Sequence, residues 1–467
     1  MPRRSQHNTG RVIRDPGSTK RHIYRPPGSP EDDEFIATHT APVPANSPII
    51  ARWSTLALEI IDNLDSRHID WAAVECFQRL YKDPIYNTLN GVTTVIITAR
   101  NTLPHSNDIA EMMGEVCRMS GCRVELQFCS PNLIDMAQQT ETVLSLPEVG
   151  YPSMGSRVSV RMDLETPTEA TVGGILRLVT KDTKKEEYFA LTCFHNIPTF
   201  QSYRSNYIDL EPGVPHKPVQ IYGSVTCAFP SQLLQAEVVS DIAADINRMN
   251  KKIELLKKGF NQVDREEESG CLQNELEWYE AELRQLKEKY ASLHSIDSNI
   301  GFVSATSGLP VHNGKHLDWA LIALSGLDAP PQSVNMTYNV QERTEIAVRL
   351  SQWSSNLEGG AKVYKPGSTR VTEGIVNSVP SYVRFRETEH SLPVAREWAV
   401  IPVAKYKSFS DPGDSGAWVV DHLTNHVVGM ILARNGGLGV SYVTPIREII
   451  NHIEYFTNKV VDLPIRI

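Results

Sequence analysis

Residues 409–420 read FSDPGDSGAWVV, which sets Ser415 between Asp414 and Gly416 and two residues after Gly413. A serine hydroxyl is a poor nucleophile at neutral pH. It becomes a reactive one when a nearby base takes its proton and backbone N–H groups hold the oxyanion that forms. Glycines around the serine permit the tight, open backbone that aims those N–H groups at one point. Taken alone, the string reads equally well as a Gly/Asp/Ser turn between two strands. Two further residues bear on the choice. His195 closes Leu191-Thr-Cys-Phe-His195, directly after an apolar run, and so belongs at a strand end. Asp318 enters the apolar run 319–324. Singly, His195 reads as a core histidine and Asp318 as a strand cap. Together, in the order His, Asp, Ser and each at a strand edge, they supply a base, an orienting carboxylate and a nucleophile.

These three motifs and their order resemble the chymotrypsin/trypsin-like serine peptidases. The resemblance implies a mainly β fold: a chymotrypsin-like double β-barrel. It also implies the roles. Ser415 attacks the scissile carbonyl, His195 takes and returns the proton, and Asp318 fixes the imidazole tautomer. The backbone N–H groups of Gly413 and Ser415 form the oxyanion hole, and Asp414 belongs to the loop. By the same resemblance, Phe409 and the strands after the serine line the primary specificity pocket, through Leu432, Ala433, Arg434 and Gly439. Phe409 is not a carboxylate, which disfavours a preference for Lys or Arg. Leu432, Ala433 and Gly439 imply an apolar or small pocket, whereas Arg434 favours an acidic side chain. The chain as a whole is similar to fungal trypsin-like peptidase-domain proteins that carry an N-terminal region of unassigned role.

The elements that must position these residues are legible in outline. A peptidase domain is expected over 148–460. Its opening strands fall in 155–180, around the Gly173-Gly174 turn, and a strand pair in 362–376. Strands at 427–432 and 439–446 follow the serine. Residues 445–459 have helical spacing at Ile446, Ile449, Ile450, Ile453 and Phe456, and 461–467 read as a C-terminal tail. Residues 1–48, basic at first and then acidic at Glu31–Glu34, read as a disordered tail. Residues 49–147 read as a small α/β module: a helix over 71–81, a strand over 92–98, a helix over 106–120 with Ser106 as N-cap and Gly121 as C-cap, and a strand over 122–128. No Gly-rich phosphate loop accompanies that crossover, so nucleotide binding is not supported. A structural or docking role fits it.

One segment interrupts the peptidase pattern between His195 and Asp318. Ile242, Ile246, Met249, Ile253 and Leu256 keep a heptad spacing, as do Leu272, Leu276, Tyr279, Leu283, Leu286 and Tyr290. The expectation is an inserted antiparallel coiled-coil hairpin over 236–293. It is either a self-contained insertion or an arm for a homodimer or another protein partner.

Composition excludes other classes. A net charge of −9 argues against nucleic-acid binding by the body of the protein. The seven cysteines show no disulfide framework and no metal-ligand spacing, so neither a metal nor a cofactor is expected. The first residues lack the apolar core of a signal peptide, and no apolar run of ~18 residues predicts a membrane span. The expectation is a reduced, cytoplasmic, non-secreted protein, with nuclear import as a second reading of the basic N-terminus. Its function is expected to be intracellular serine endopeptidase activity on protein or peptide substrates. The alternative is a catalytically silent peptidase-fold scaffold that works through the hairpin and the N-terminal module.

Overall fold

The computed structural model describes residues 11–14, 20–24, 37–82, 89–100, 106–128, 134–135, 152–162, 167–197, 225–260, 266–294, 299–326, 335–339, 344–354, 356–367, 371–387, 390–391, 393–403 and 406–464. The chain begins with β1 (Arg11–Arg14), β2 (Lys20–Tyr24) and β3 (Ala37–Ala41). There follow α1 (Trp53–Ser66), β4 (Trp71–Lys82), β5 (Leu89–Ala99), α2 (Ser106–Ser120), β6 (Arg123–Phe128) and the two-residue β7 (Ile134–Asp135). β5 and β6 pair in parallel across α2, as the spacing over 92–128 predicts, and Gly121 ends α2 with φ 64°. The side chain of Ser106, the expected N-cap, lies outside the described residues.

Two expectations for this region do not hold. The segment 71–81 is a strand, not a helix. Trp71 to Phe77 are all buried, because β4 is covered on both faces. Val74 and Cys76 pack with Leu56, Ile60 and Val116 of the two helices, while Ala73 and Phe77 pack with Ala399, Leu432 and Tyr442. A strand buried on both faces loses its period-two alternation and cannot be told from a helix by pattern. The segment 1–48 is also not a tail throughout. β2 pairs β6, β3 pairs β4, and the buried Val43 donates its N–H to Asn377 Oδ1 at 3.0 Å. Composition averaged over 48 residues hides these short strands, whose partners lie far along the chain. Residues 1–10 and 25–36, with the acidic run, lie outside the described residues.

Next come β8 (Arg157–Met162), β9 (Thr168–Thr171), β10 (Gly174–Thr180), β11 (Glu186–Thr192) and β12 (Val225–Ala228). The helices α3 (Gln232–Phe260) and α4 (Glu266–His294) follow, then β13 (Asn299–Thr306). A short ribbon, β14 (Val311–His312) with β15 (Lys315–His316), leads to β16 (Ala320–Leu324). Another ribbon, β17 (Met336–Asn339) with β18 (Thr344–Arg349), closes this half. The second half holds β19 (Lys362–Pro366), β20 (Val371–Val376), β21 (Ser381–Val383), the small pair β22 (Arg386–Glu387) and β23 (His390–Ser391), and β24 (Ala395–Pro402). It ends with β25 (Trp418–Asp421), β26 (Val427–Asn435), β27 (Val440–Pro445), α5 (Ile446–Thr457) and β28 (Lys459–Asp462).

Two β systems face each other. The first is an eight-stranded antiparallel sheet in the order β28-β10-β11-β16-β13-β12-β8-β9. Ala170 on β9 and Ile175 on β10 share one apolar core with residues of β8, β11, β12, β13 and β16, so the sheet curls on itself. The second is a closed six-stranded barrel, β24-β20-β19-β25-β26-β27, sealed by pairing of β27 with β24. β21 continues along β24 and pairs on its other side with β4, which ties the N-terminal strands to the barrel mouth. A shared core between the two systems contains Leu176, Leu191, Trp319, Trp418 and the α5 residues Ile446, Ile449, Ile450 and Ile453. The C-terminal segment, expected as a tail from 461, instead pairs with β10 through β28, and Leu463 is buried. It was illegible because its partner strand lies at the other end of the pattern.

The insertion is present as two 29-residue helices between β12 and β13. They pack on each other with Ile242, Ile253 and Leu256 buried and with ion pairs Lys252–Glu275 at 3.6 Å and Lys257–Glu280 at 2.8 Å across them. No helix among the described residues is long and apolar enough to cross a membrane.

Candidate active site

β11 and β16 are antiparallel neighbours with Thr192 opposite Ala320. Three residues beyond Thr192 and two before Ala320, the chain therefore brings His195 and Asp318 to one end of the curled sheet. His195 sits in a single 3-10 turn, Phe194–Asn196. Its backbone N–H donates to Asp318 Oδ1 at 2.9 Å, and its ring Nδ1 meets Asp318 Oδ2 at 2.5 Å. A carboxylate that accepts from both the backbone and the ring of one histidine fixes the ring plane as well as its tautomer. Nε2, the other ring nitrogen, is buried with no hydrogen-bond partner. Cys193 places its thiol beside this pair. The three side chains bring one potential ligand atom each to within 4.8 Å. The Nδ1–Oδ2 contact is a direct hydrogen bond, closer than two ligands on a shared zinc, which stand about 3 Å apart or more. Burial, with Asp318 next to it, holds the Cys193 thiol well above its ordinary range.

Ser415 lies on the loop between β24 and β25, at the seam between the two β systems. Gly413 and Gly416 have φ of 91° and 96°, a region that favours glycine. A Cβ on Gly416 would stand 2.5 Å from the Thr171 carbonyl oxygen and 3.1 Å from Thr192 Oγ1, so the loop presses directly on β9 and β11. Thr171 Oγ1 donates to the Gly413 carbonyl. Thr192 Oγ1 donates to the Thr171 carbonyl at 2.7 Å, and Asn196 Nδ2 reaches the Ser415 carbonyl at 3.4 Å. Ser415 is 5% exposed, and its hydroxyl donates to the Leu432 carbonyl at 3.5 Å rather than to His195. Asn196 and Gly416 thus bring the Ser415 loop against the strand end that carries His195, and no hydrogen bond joins the serine to the imidazole.

Asp414 is the buried neighbour that sets the loop. Its carboxylate pairs with Lys365 Nζ at 2.5 Å, with both side chains fully buried, and accepts the Asp411 N–H at 2.8 Å. Lys365 comes from β19 and was not singled out in the sequence. The one signal for it is a lysine at an inward position of an apolar strand, which demands a counter-charge. Thr171, Thr192, Asn196 and the Leu432 carbonyl were missed likewise, since they act through fold contacts and not through a motif.

Of the residues expected to line a specificity pocket, three are buried among apolar side chains. Phe409 is fully buried in the barrel core with Val363, Val400 and Ala417, and its N–H donates to the Gly439 carbonyl at 3.2 Å. Leu432 and Ala433 are buried against Ala73, Phe77 and Ile96 of β4 and β5. Arg434 is half-buried, and Gly439 turns the chain between β26 and β27 with φ 71°.

Two further buried polar groups lie close by. His316 is buried, and burial pushes it down to about 4. Glu397, which accepts the His316 N–H at 2.6 Å, is pushed up to about 7 by burial.

No family model matches this chain, and no curated protein matches it. Among solved structures, a protease from Nocardiopsis shares 11% identity over 67% of this chain and 98% of its own, at a TM-score of 0.30. Protease A of Thermobifida fusca shares 9% identity over 67% of this chain and 97% of its own, at a TM-score of 0.28. A chymotrypsin of Cellulomonas bogoriensis shares 16% over 36% of this chain and 76% of its own, at 0.25. These are chymotrypsin-fold serine proteases, and the similarity is distant. Likeness at such TM-scores assigns no chemistry, which rests on the residues themselves.

Proposed function

We propose that the chain is a serine endopeptidase working through Ser415, His195 and Asp318, with protein or peptide substrates. The observation that carries this reading is the state of the imidazole. Asp318 engages Nδ1 and leaves Nε2 buried and unpartnered, at the seam where a glycine-bracketed serine arrives. A buried ring nitrogen without a partner costs about 1–3 kcal/mol, and a proton-accepting role offsets that cost functionally.

In the proposed cycle the Ser415 hydroxyl rotates from the Leu432 carbonyl toward Nε2. Nε2 takes the proton as Oγ bonds to the substrate carbonyl carbon, whose π electrons move to oxygen. The Gly413 and Ser415 N–H groups stabilise that oxyanion. Collapse expels the amine, which leaves with the proton from Nε2. Water then attacks the acyl-enzyme with the same base, which frees Ser415. Asp318 keeps the proton on Nδ1 and stabilises the imidazolium, and the Lys365–Asp414 pair fixes the loop.

Labelling by a fluorophosphonate probe tests this reading. Labelling of the wild type that disappears in both Ser415→Ala and His195→Ala is the expected result. A second reading, a scaffold without catalysis, is favoured by the hydroxyl's bond to the Leu432 carbonyl and by its burial. No labelling of a folded wild type, with β7 intact or removed, would select that reading.

A further inference from the structure

β26 has two edges. One is occupied by β27 from Gly429 to Asn435. On the other edge, β25 pairs with Val427 to Met430. The chain before β25 continues along it: Ile431 donates to the Ala417 carbonyl at 2.9 Å, Gly416 donates to the Ile431 carbonyl at 3.0 Å, and Ser415 Oγ reaches the Leu432 carbonyl. β7 pairs antiparallel with β26 at Arg434 and Asn435, through Asp135 and Ile134. Because β27 fills the opposite edge at those same residues, β7 must lie on the serine's edge, directly past it.

That edge is where an extended peptide would have to run to bring a carbonyl to Ser415. Strand addition to a vacant edge recognises a main chain without regard to most side chains. Asp135 stands two residues beyond Leu432, about 7 Å along the strand at ~3.3 Å per residue. The direction matters too. Antiparallel to β26, the chain runs from Asn435 toward Leu432 as it proceeds from Ile134 to Asp135, and so heads toward the serine. The register pairs the backbone of Asp135 with that of Arg434, and that of Ile134 with Asn435.

We propose that Ile134–Asp135 is an internal occupant of the peptide-docking edge beside Ser415, a cis-acting strand that an incoming substrate must displace. The substrate it stands in for is an extended peptide, held by its main chain along the same edge. This rests on reading Ser415 as the nucleophile, and it accounts for the closed state of the site, with the hydroxyl turned to Leu432.

The test uses the full chain and two ways of vacating the edge. Ile134→Pro with Asp135→Pro removes both strand N–H donors, whichever of them faces β26. Ile134→Gly with Asp135→Gly weakens the strand without a clash and serves if the proline variant fails to melt cooperatively. In a Ser415→Ala background, binding of a fluorescent peptide covering residues 131–138 is measured. Binding is expected to tighten by about tenfold or more when the edge is vacated, since affinity scales with the fraction of molecules whose site is open. With Ser415 present, fluorophosphonate labelling should accelerate by a similar factor. Equal peptide binding by vacated and intact proteins of unchanged melting temperature overturns the proposal. Tighter binding with no labelling in any form leaves the occupant in place and removes Ser415 as nucleophile. Strong labelling at equal rates, without a gain in binding, does the reverse.

Discussion

Lys365 is the residue on which the shape of the loop ahead of Ser415 most depends. Its ammonium and the Asp414 carboxylate are both out of water and pair directly. Lys365→Met takes the counter-charge from a buried carboxylate and is expected to cost about 3–5 kcal/mol in urea unfolding. Lys365→Met with Asp414→Leu should recover much of that stability. It should not recover probe labelling, because the Asp411 N–H loses its acceptor. An unchanged urea midpoint in the single variant would contradict this role.

A pH dependence belongs to the same scale. Burial pushes Glu75 from an ordinary 4.5 up to about 7, against hydrogen bonds from Tyr442, Ser381 and Asn435. Between those values the folded chain holds a proton that the unfolded chain has released. This contribution is therefore complete below about pH 4.5 and lost as the pH rises through about 7. Glu75→Gln should flatten the fall in melting temperature between pH 5 and pH 8, measured against wild type at matched ionic strength. His316, held down to about 4, acts in the opposite sense: its share is lost as the pH falls from 6.5 toward 4. Ser415, His195 and Asp318 stood out in the sequence because a Ser/His/Asp set demands fixed residue types at strand ends. Lys365 did not, since a lysine in Lys362-Val-Tyr-Lys365 reads as a solvated side chain. Phe409, Leu432 and Ala433 show what a motif leaves open: it places a residue along the chain without naming the neighbours that bury it.

At the scale of elements, the α3–α4 hairpin is the most separable part. Its seam contains the buried Ile253, while Leu276, Tyr279, Leu283 and Leu286 stay half-buried and Leu255 and Trp278 are exposed. Ile253→Asp is expected to lower the helical circular-dichroism signal and leave the barrel's near-ultraviolet signal and melting temperature unchanged. Simultaneous loss of both would mean that the helices support the sheet they leave from. The heptads made these helices readable, whereas β4 was misread for the opposite reason: it is too well covered to alternate. α5 was readable because one face of it is wet, with Tyr455 71% exposed and Ile449, Ile450 and Ile453 fully buried.

For the whole molecule, the N-terminal strands pack on the outside of the barrel and join it through β21. Ala73, Phe77 and Ile96 cover Ile401, Leu432, Val440 and Tyr442, and Asn377 bonds to Cys76 and Val43 across the same boundary. A chain begun at residue 148 would expose that apolar surface. It is expected to aggregate or to melt without cooperativity on a calorimeter. A soluble, cooperative fragment would contradict this. No local signal in residues 49–147 reveals such a partnership, because the complementary surface is written some 300 residues later.

That separation governs how the molecule is made. β4 leaves the ribosome long before β21, its partner, and β10 must likewise wait for β28, far along the chain. The eight-stranded sheet cannot be completed until β28 emerges, so the nascent chain carries an unpaired edge on β10 until then. A chain cut after residue 457 would lose β28 and leave β10 with an open edge, one for chaperones to hold or proteases to clear.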